Sequence, residues 1–490
     1  MTVRTRFAPS PTGDVHIWSL RTALYCYLWS HHNNGKFILR IEDTDQTRLV
    51  EGSIERIIEV LTRMGVSPDE GPQHDGGYGP YIQSHRLPIY AERLHKLVEE
   101  GSAYYCFCTS ERLDALRTEQ EELKLPPRYD GHCRHVPLEE ARERIAKWEK
   151  YTIRLKVPKW EKILFNDAIR GRIEFNSSET DDCVLMKSDG IPTYHGAVVI
   201  DDHLMEITHV MRGEEWISSI PKQVLTARAL GITLPEYAHM PNILGADGKK
   251  LSKRTGDTSA EIYLEKGYLP DALLNFIALL GWHPKSDQEI LTMEELIEKF
   301  DIHDIHKAGA VFDPIKLDWM NGEYIKVLST EELHTKLSIY LHKYENEFFT
   351  TVYSKAEWST NEKILNELKG RMKRFNEYRD LTKFFYGAAQ IRPDLLVNPK
   401  MKIETLEDAR ASLELGRTVL ARTDFSSLDT IKEPIIAAIS EAGKKNWQVL
   451  WPIRVALSGE EFSPGAFELA YILGKEKSIE RIDRILAKLS

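Results

Sequence analysis

Hydrophobic positions in the first sixty-odd residues of the chain switch between two periods. Val3 to Phe7 reads as a short strand, Leu20 to His31 as an apolar-periodic helix, and Lys36 to Ile41 as a second strand. Ser53 to Met64 reads as a second helix, with Ile54, Ile57, Ile58 and Leu61 on one face. Strand, helix, strand, helix at this spacing predicts a parallel sheet and the α/β class. From about Gly71 the texture turns polar and irregular, with Glu/Lys/Arg-rich helices and the pair Pro126-Pro127, which predicts an insertion between two halves of the sheet. Sheet-like patterning returns at Ile191 to Ile200. After Gly256 the chain reads as almost wholly helical, from an amphipathic helix across Leu273 to Leu280 to a last one whose Ile479, Ile482, Leu486 and Leu489 share a face. No internal repeat or low-complexity segment interrupts it.

At 490 residues the chain has room for roughly three or four domains. Its 42% hydrophobic content is that of an ordinary globular protein. No apolar run approaches the ~18 residues of a membrane span, so no membrane partner is expected and the cytoplasm is the expected compartment. Five cysteines do not suggest a disulfide framework, and three of them cluster, which favours a metal over oxidation. A formal net charge of -10 excludes a generalised polyanion binder. Any nucleic-acid contact has to come from local basic surfaces.

Two short segments carry the chemistry. Arg6-Phe7-Ala8-Pro9-Ser10-Pro11-Thr12-Gly13-Asp14-Val15-His16-Ile17 reads as a strand ending in a Pro/Gly turn that delivers His16 to the start of a helix, where backbone N–H groups favour bound phosphate. Lys250-Leu251-Ser252-Lys253-Arg254 puts cations on a loop marked by Asp247-Gly248, a credible clamp for a triphosphate. In this order they resemble the two ATP-handling signatures of class I aminoacyl-tRNA synthetases. Arg40 to Asp45, Met186 to His195 and Arg212 to Trp216 narrow the likeness, being similar to motifs of glutamyl-tRNA synthetases. Phe312, Leu317, Trp319 and Asn321 to Tyr324 look like that family's stem-contact region. Arg454 to Gly459, Ser463 to Gly465 and Leu473 to Glu476 look like its helical C-terminal signature, of the bacterial and organellar type.

The resemblance implies a Rossmann-like catalytic domain in two halves, 1–72 and 190–240, interrupted by an acceptor-binding insertion over 73–189. A signature loop and stem-contact domain over 241–325 and an α-helical anticodon-binding region over 326–490 would follow. It implies ATP, with Mg²⁺, and L-glutamate joined as glutamyl-adenylate, then transfer to tRNA(Glu), by a protein expected to be a monomer. His16, Lys250 and Lys253 are the catalytic candidates, and His16, Trp18 and Lys253 the ATP-binding ones. Arg6, Ala8, Ser10, Glu42, Tyr194 and Arg212 would line the glutamate pocket, an arginine pairing the side-chain carboxylate as glutamine's amide cannot. Taken without the resemblance, Arg6 and Glu42 on adjacent strands equally suit a structural ion pair.

Cys106, Cys108, Cys133 and His135 form a C-x-C…C-x-H set that satisfies tetrahedral structural Zn²⁺, with Tyr129 and His132 as alternative ligands. Lys363, Lys369, Arg371, Lys373, Arg374 and Arg379 gather charge near Phe375 and Tyr378, as suits held phosphates and unstacked bases, and a solvated helix face explains the same charges.

The chain departs from the family at four positions. Trp18 stands where glycine is expected, Gly196 and Val198 where leucine and asparagine are usual, and Glu206 where glycine is usual. Motif position puts most of these around the substrate pocket, with Gly196 vacating volume that Trp18 fills. A catalytically altered tRNA-binding protein, and a relative that also charges tRNA(Gln), are the competing readings.

Overall fold

A computed structural model describes residues 2–251 and 258–489, which divide into two compact units. The first comprises Met1–Leu264 and Pro270–Leu317, the second Glu265–Leu269 and Asp318–Ser490.

The first unit holds eleven short strands among its described residues: β1 (Arg4–Phe7), β2 (Lys36–Leu39), β3 (Ala103–Cys106), β4 (Thr152–Leu155), β5 (Lys162–Asp167), β6 (Gly171–Asn176), β7 (Val184–Met186), β8 (His209–Gly213), β9 (Glu236–Met240), β10 (Ile243–Leu244) and β11 (Ala310–Val311). The main sheet runs β2-β1-β8-β9-β5-β6. β2, β1, β8 and β9 are parallel, with Thr5 beside Phe37 and Val210 beside Tyr237. The hairpin β5–β6 extends the sheet through a parallel pairing of Asp167 with Tyr237. A separate antiparallel sheet, β3-β4-β7, stands in the middle of the sequence.

The opening strand–helix reading holds within the usual boundary slack. The helix after β1 spans Ile17–His32 and buries Leu20, Ala23, Leu24 and Leu28. That after β2 spans Ser53–Arg63, burying Ile57, Val60 and Leu61. The expected strand at Ile191 to Ile200 is instead a helix, Tyr194–Leu204. Its run Gly196 to Asp202 is buried throughout, so no polar face marks the helical period, and the β-branched trio Val198, Val199 and Ile200 reads as strand. This helix crosses β7 closely: a Cβ on Gly196 would stand 2.2 Å from the Leu185 carbonyl oxygen. Position 196 therefore needs glycine for packing and vacates nothing beside Trp18.

The second unit is helical, as its patterning predicts. Its longest segment, Ala466–Leu489, breaks at Gly474, whose backbone (φ 78°, ψ 169°) is closed to other residues. Buried Arg481 donates to the carbonyls of Leu457, Phe384 and Gly387, satisfying the ends of the helices Asn446–Ser458 and Tyr378–Tyr386. Burial lowers its pKa to about 10. Phe375 and Tyr378 lie in this core, so the expectation that they stand ready to stack bases is corrected. Arg371 pairs with Glu367, and Arg374 with Asp318 and Glu377. None of the helices among the described residues is long and apolar enough to cross a membrane.

Two tryptophans of the first unit stand out. Trp148 (φ 64°) and Trp160 (φ 60°) occupy left-handed backbone at turns while leaving 93% and 82% of their surface exposed. An L-residue pays about 1–2 kcal/mol for that conformation, and here little burial offsets it. Trp148→Gly and Trp160→Gly are each expected to stabilise the protein by about 1 kcal/mol; an unmoved or lowered urea midpoint would show that the indoles contribute packing.

Candidate functional site

The carboxyl ends of β1, β2 and β8 open on a common crevice, where ligands bind in open parallel sheets. A cleft of about 330 Å³ lies there. Arg6, Ala8, Ser10, Glu42, Tyr194, Arg212, His16 and Trp18 all line it, so one cavity collects eight of the residues singled out from sequence.

Its floor is a buried ionic network. Arg6 Nε donates to Asp202 Oδ1 at 3.1 Å, and Arg40 Nη1 to the same oxygen at 2.7 Å. Arg40 Nη2 donates to Glu42 Oε1 at 3.0 Å. Arg6 and Glu42 thus each have another partner, and the direct pair between them that their adjacent strands suggested is not formed. Burial pushes the Asp202 carboxyl up, but the charges and hydrogen bonds of Arg6 and Arg40 outweigh it and hold it below the usual range. Burial prevails at Glu42, whose pKa rises. Next door, Asp201 accepts from Arg86, Gln83 and Tyr90, each at 2.8 Å. Arg40 belongs to a motif visible in the sequence and Asp202 to none of those named; nothing in their spacing marked them as the network beneath the cleft.

Arg212 is built differently. It is 6% exposed, and among the described residues its hydrogen-bond partners are uncharged: Nε donates to His239 Nε2, Nη1 to Tyr194 Oη and Nη2 to Gln223 Oε1, all at 2.9 Å. His239 Nδ1 in turn bonds Asp167 Oδ2 at 2.6 Å. Accepting from Arg212 requires a bare Nε2, so Nδ1 carries the proton to Asp167 and the ring is neutral. Burial lowers the His239 pKa in keeping with that state. A guanidinium is thereby held in a cleft wall with no carboxylate on it. Asp167, Gln223 and His239 carried no sequence signal, coming from strands and a helix far apart in the chain.

At the other end, His16 caps the helix Ile17–His32 from extended backbone (ψ 158°) without a side-chain cap bond. Its Nδ1 lies 3.2 Å from Thr258 Oγ1, and its ring meets Trp18 at 4.4 Å between centroids. Lys250, on the turn after β10, stands 3.6 Å from Glu215. Lys253 lies outside the described residues.

The cysteines form a second site. The sulfurs of Cys106, Cys108 and Cys133 lie within 4.8 Å of one another. His135 is not among them; Tyr129 Oη stands 3.3 Å from Cys106 Sγ and 3.5 Å from Cys108 Sγ. Arg112 donates to Cys108 at 3.6 Å, and Arg154 lies 3.8 Å over the Tyr129 ring, a cationic setting that favours thiolate. A hydrogen bond with Cys133 leads the causes that lower the Cys106 pKa to about 4.

Comparison with known proteins decides the family. Residues 2–319 match tRNA synthetases class I (E and Q), catalytic domain, and residues 332–486 match an anticodon binding domain. The chain belongs to the class I tRNA synthetases of the E and Q type. The synthetase is 48% identical to a glutamate–tRNA ligase of Clostridium botulinum over 99% of its own length and 98% of the relative's. A Clostridium acetobutylicum glutamate–tRNA ligase is 46% identical, covering 99% of each chain. A glutamate tRNA ligase of Elizabethkingia meningosepticum, solved in complex with its amino acid, superposes with a TM-score of 0.90 at 38% identity over the whole of both chains.

Of the synthetase's four departures, only Trp18 lines the cleft. Val198 packs with Val199 and Ala227. Glu206 turns the chain with φ 54° and accepts from Tyr78 Oη at 2.8 Å. Removing the Asp202 charge tests the floor. Asp202→Asn leaves Arg6 and Arg40 short of a counter-charge and is expected to cost about 3–5 kcal/mol of stability in urea unfolding; a loss under 1 kcal/mol would mean that Glu42 and Asp201 suffice.

Proposed function

We infer that the protein ligates L-glutamate to tRNA(Glu), activating it with ATP as glutamyl-adenylate and releasing pyrophosphate, then AMP. The observation that carries this is Arg212, a buried cation with neutral partners facing a cleft. Such a group binds an anion at little cost in broken ion pairs, because a carboxylate would compete only with the neutral acceptors Tyr194 and Gln223 and the Trp216 carbonyl for its terminal N–H groups. Glutamine would leave the charge uncompensated, which disfavours it. Glu42, lining the same cleft, supplies an acceptor for the substrate ammonium.

Activation is attack of the substrate α-carboxylate on the α-phosphorus of ATP, breaking the bond to the pyrophosphate leaving group. Neither partner needs a covalent link to the protein, so positioning and charge do the catalysis. The N-terminus of the helix Ile17–His32 faces the cleft and favours phosphate. His16 is assigned to donate to a phosphate oxygen. Lys250 and Lys253 are assigned to neutralise pyrophosphate as it leaves, and magnesium arrives with ATP as part of that substrate. In the second step the adenylate carbonyl is attacked by a terminal ribose hydroxyl of the tRNA, and AMP leaves.

The donor set of Cys106, Cys108 and Cys133, with an oxygen at Tyr129, fits Zn²⁺ in a structural role, the metal tying the end of strand β3 to the segment carrying Tyr129 and Cys133 beyond the helix Ser110–Glu122. Cys108→Ser is expected to lower bound zinc, measured by atomic emission, from one equivalent per chain to well below half; full occupancy would remove Cys108 from the ligand set.

The reading is tested at its strongest residue. Arg212→Leu should lower kcat/KM for glutamate in ATP–pyrophosphate exchange by about 100-fold or more, with the affinity for ATP little changed. A variant within fivefold of the parent would sink the assignment of Arg212 to the substrate carboxylate.

A further inference from the structure

We propose that Trp18 gates the nucleotide end of the cleft: its indole walls and narrows the annex that the base of ATP must enter, so the nucleotide binds only as the ring swings away from His16. This rests on the ligase reading above. The cleft has a small annex bounded by Trp18, Arg21, Thr22, Gly213, Glu215, Pro241, Asn242, Ile243, Lys250 and Leu251. Trp18, Thr22, Gly213 and Glu215 line both spaces, which makes the annex a continuation of the cleft.

The order of groups along the cleft settles what each part takes. Arg212, Tyr194 and Glu42 form the carboxylate end. The helix N-terminus comes next: Ile17 N–H is bonded to the Thr258 carbonyl and Leu20 N–H to that of His16, which among the described residues leaves the N–H groups of Trp18 and Ser19 at the mouth. Phosphates bound there have the amino acid on one side and the annex on the other. The annex has walls that suit a purine, with apolar faces from Ile243, Leu251 and Pro241 and polar side chains from Thr22 and Asn242. Its volume is about 30 Å³, room for about two waters. A purine does not fit until Trp18 moves.

Trp18 is able to move. It is half-buried, and its ring contact is with His16, another cleft-lining side chain. Leaving that stack exposes His16 to the phosphates as the base enters, so one rotation opens both subsites.

The test separates nucleotide binding from chemistry. Calorimetric titration with a non-hydrolysable ATP analogue reads the gate without glutamate. Trp18→Gly should bind the analogue about tenfold more tightly or better, and Trp18→Ala, which keeps the helix start firmer, should shift the same way. In ATP–pyrophosphate exchange the KM for ATP should fall in parallel while the KM for glutamate stays within about twofold. The analogue should also change tryptophan fluorescence in the parent protein and lose most of that signal in Trp18→Phe. Unchanged or weaker analogue binding by both small variants overturns the gate. Tighter binding with no exchange in either parent or variant supports the gate and counts against the ligase reading.

Discussion

The site depends on the burial of several charges in one small volume, each of which must find its counter-charge there. Arg6, Arg40, Asp202 and Glu42 are all nearly inaccessible, as are Asp201 and Arg86 beside them. An unpaired ion in such a place costs several kcal/mol, while a paired one roughly breaks even. The network therefore adds little net stability and a great deal of specificity. β1 supplies Arg6, the end of β2 supplies Arg40 and Glu42, and the helix Tyr194–Leu204 supplies both aspartates. Any slip of one element against another strands a charge, so the cleft floor is held to one geometry.

Against that background Arg212 is an exception with a purpose. Every other buried arginine of the floor has a carboxylate within hydrogen-bond reach, whereas Arg212 rests on an imidazole nitrogen, a phenol and an amide. Asp167 comes no closer than the far side of His239, where it fixes the tautomer that leaves Nε2 free to accept. The protein thus keeps a desolvated cation in place through neutral dipoles and the face of the Tyr237 ring, 4.9 Å from its Cζ. Under the proposed glutamate-binding role, a ligand carboxylate would complete the charge balance that the fold leaves open, so that one residue would serve both affinity and discrimination against the neutral amide.

Much of this was legible in the chain. The helix Ser53–Arg63 showed in periodicity because it has one buried and one wet face, and β1 and β2, buried along nearly their whole length, showed as short runs ended by turn residues. The lining residues Arg6, Glu42, Tyr194 and Arg212 showed through motifs. The helix Tyr194–Leu204 did not, because burial on every side erases the helical period and leaves β-branched residues to suggest a strand. Phe375 and Tyr378 misled in the opposite way: a basic neighbourhood pointed to a nucleic-acid surface, but the rings had gone into the core and two of the neighbouring arginines were taken by acids.

By itself the sequence determined the α/β order of the first half, the helical second half, the cysteine cluster and the family chemistry, since local periodicity and short motifs encode each of these. Tertiary structure alone decided which charges meet, that Gly196 answers to a carbonyl of β7, that Tyr129 stands beside the sulfurs, and that Trp18 shares a wall with the annex. Most of these relations join residues far apart in the chain and all are set by how the layers pack, which no local pattern of residues carries.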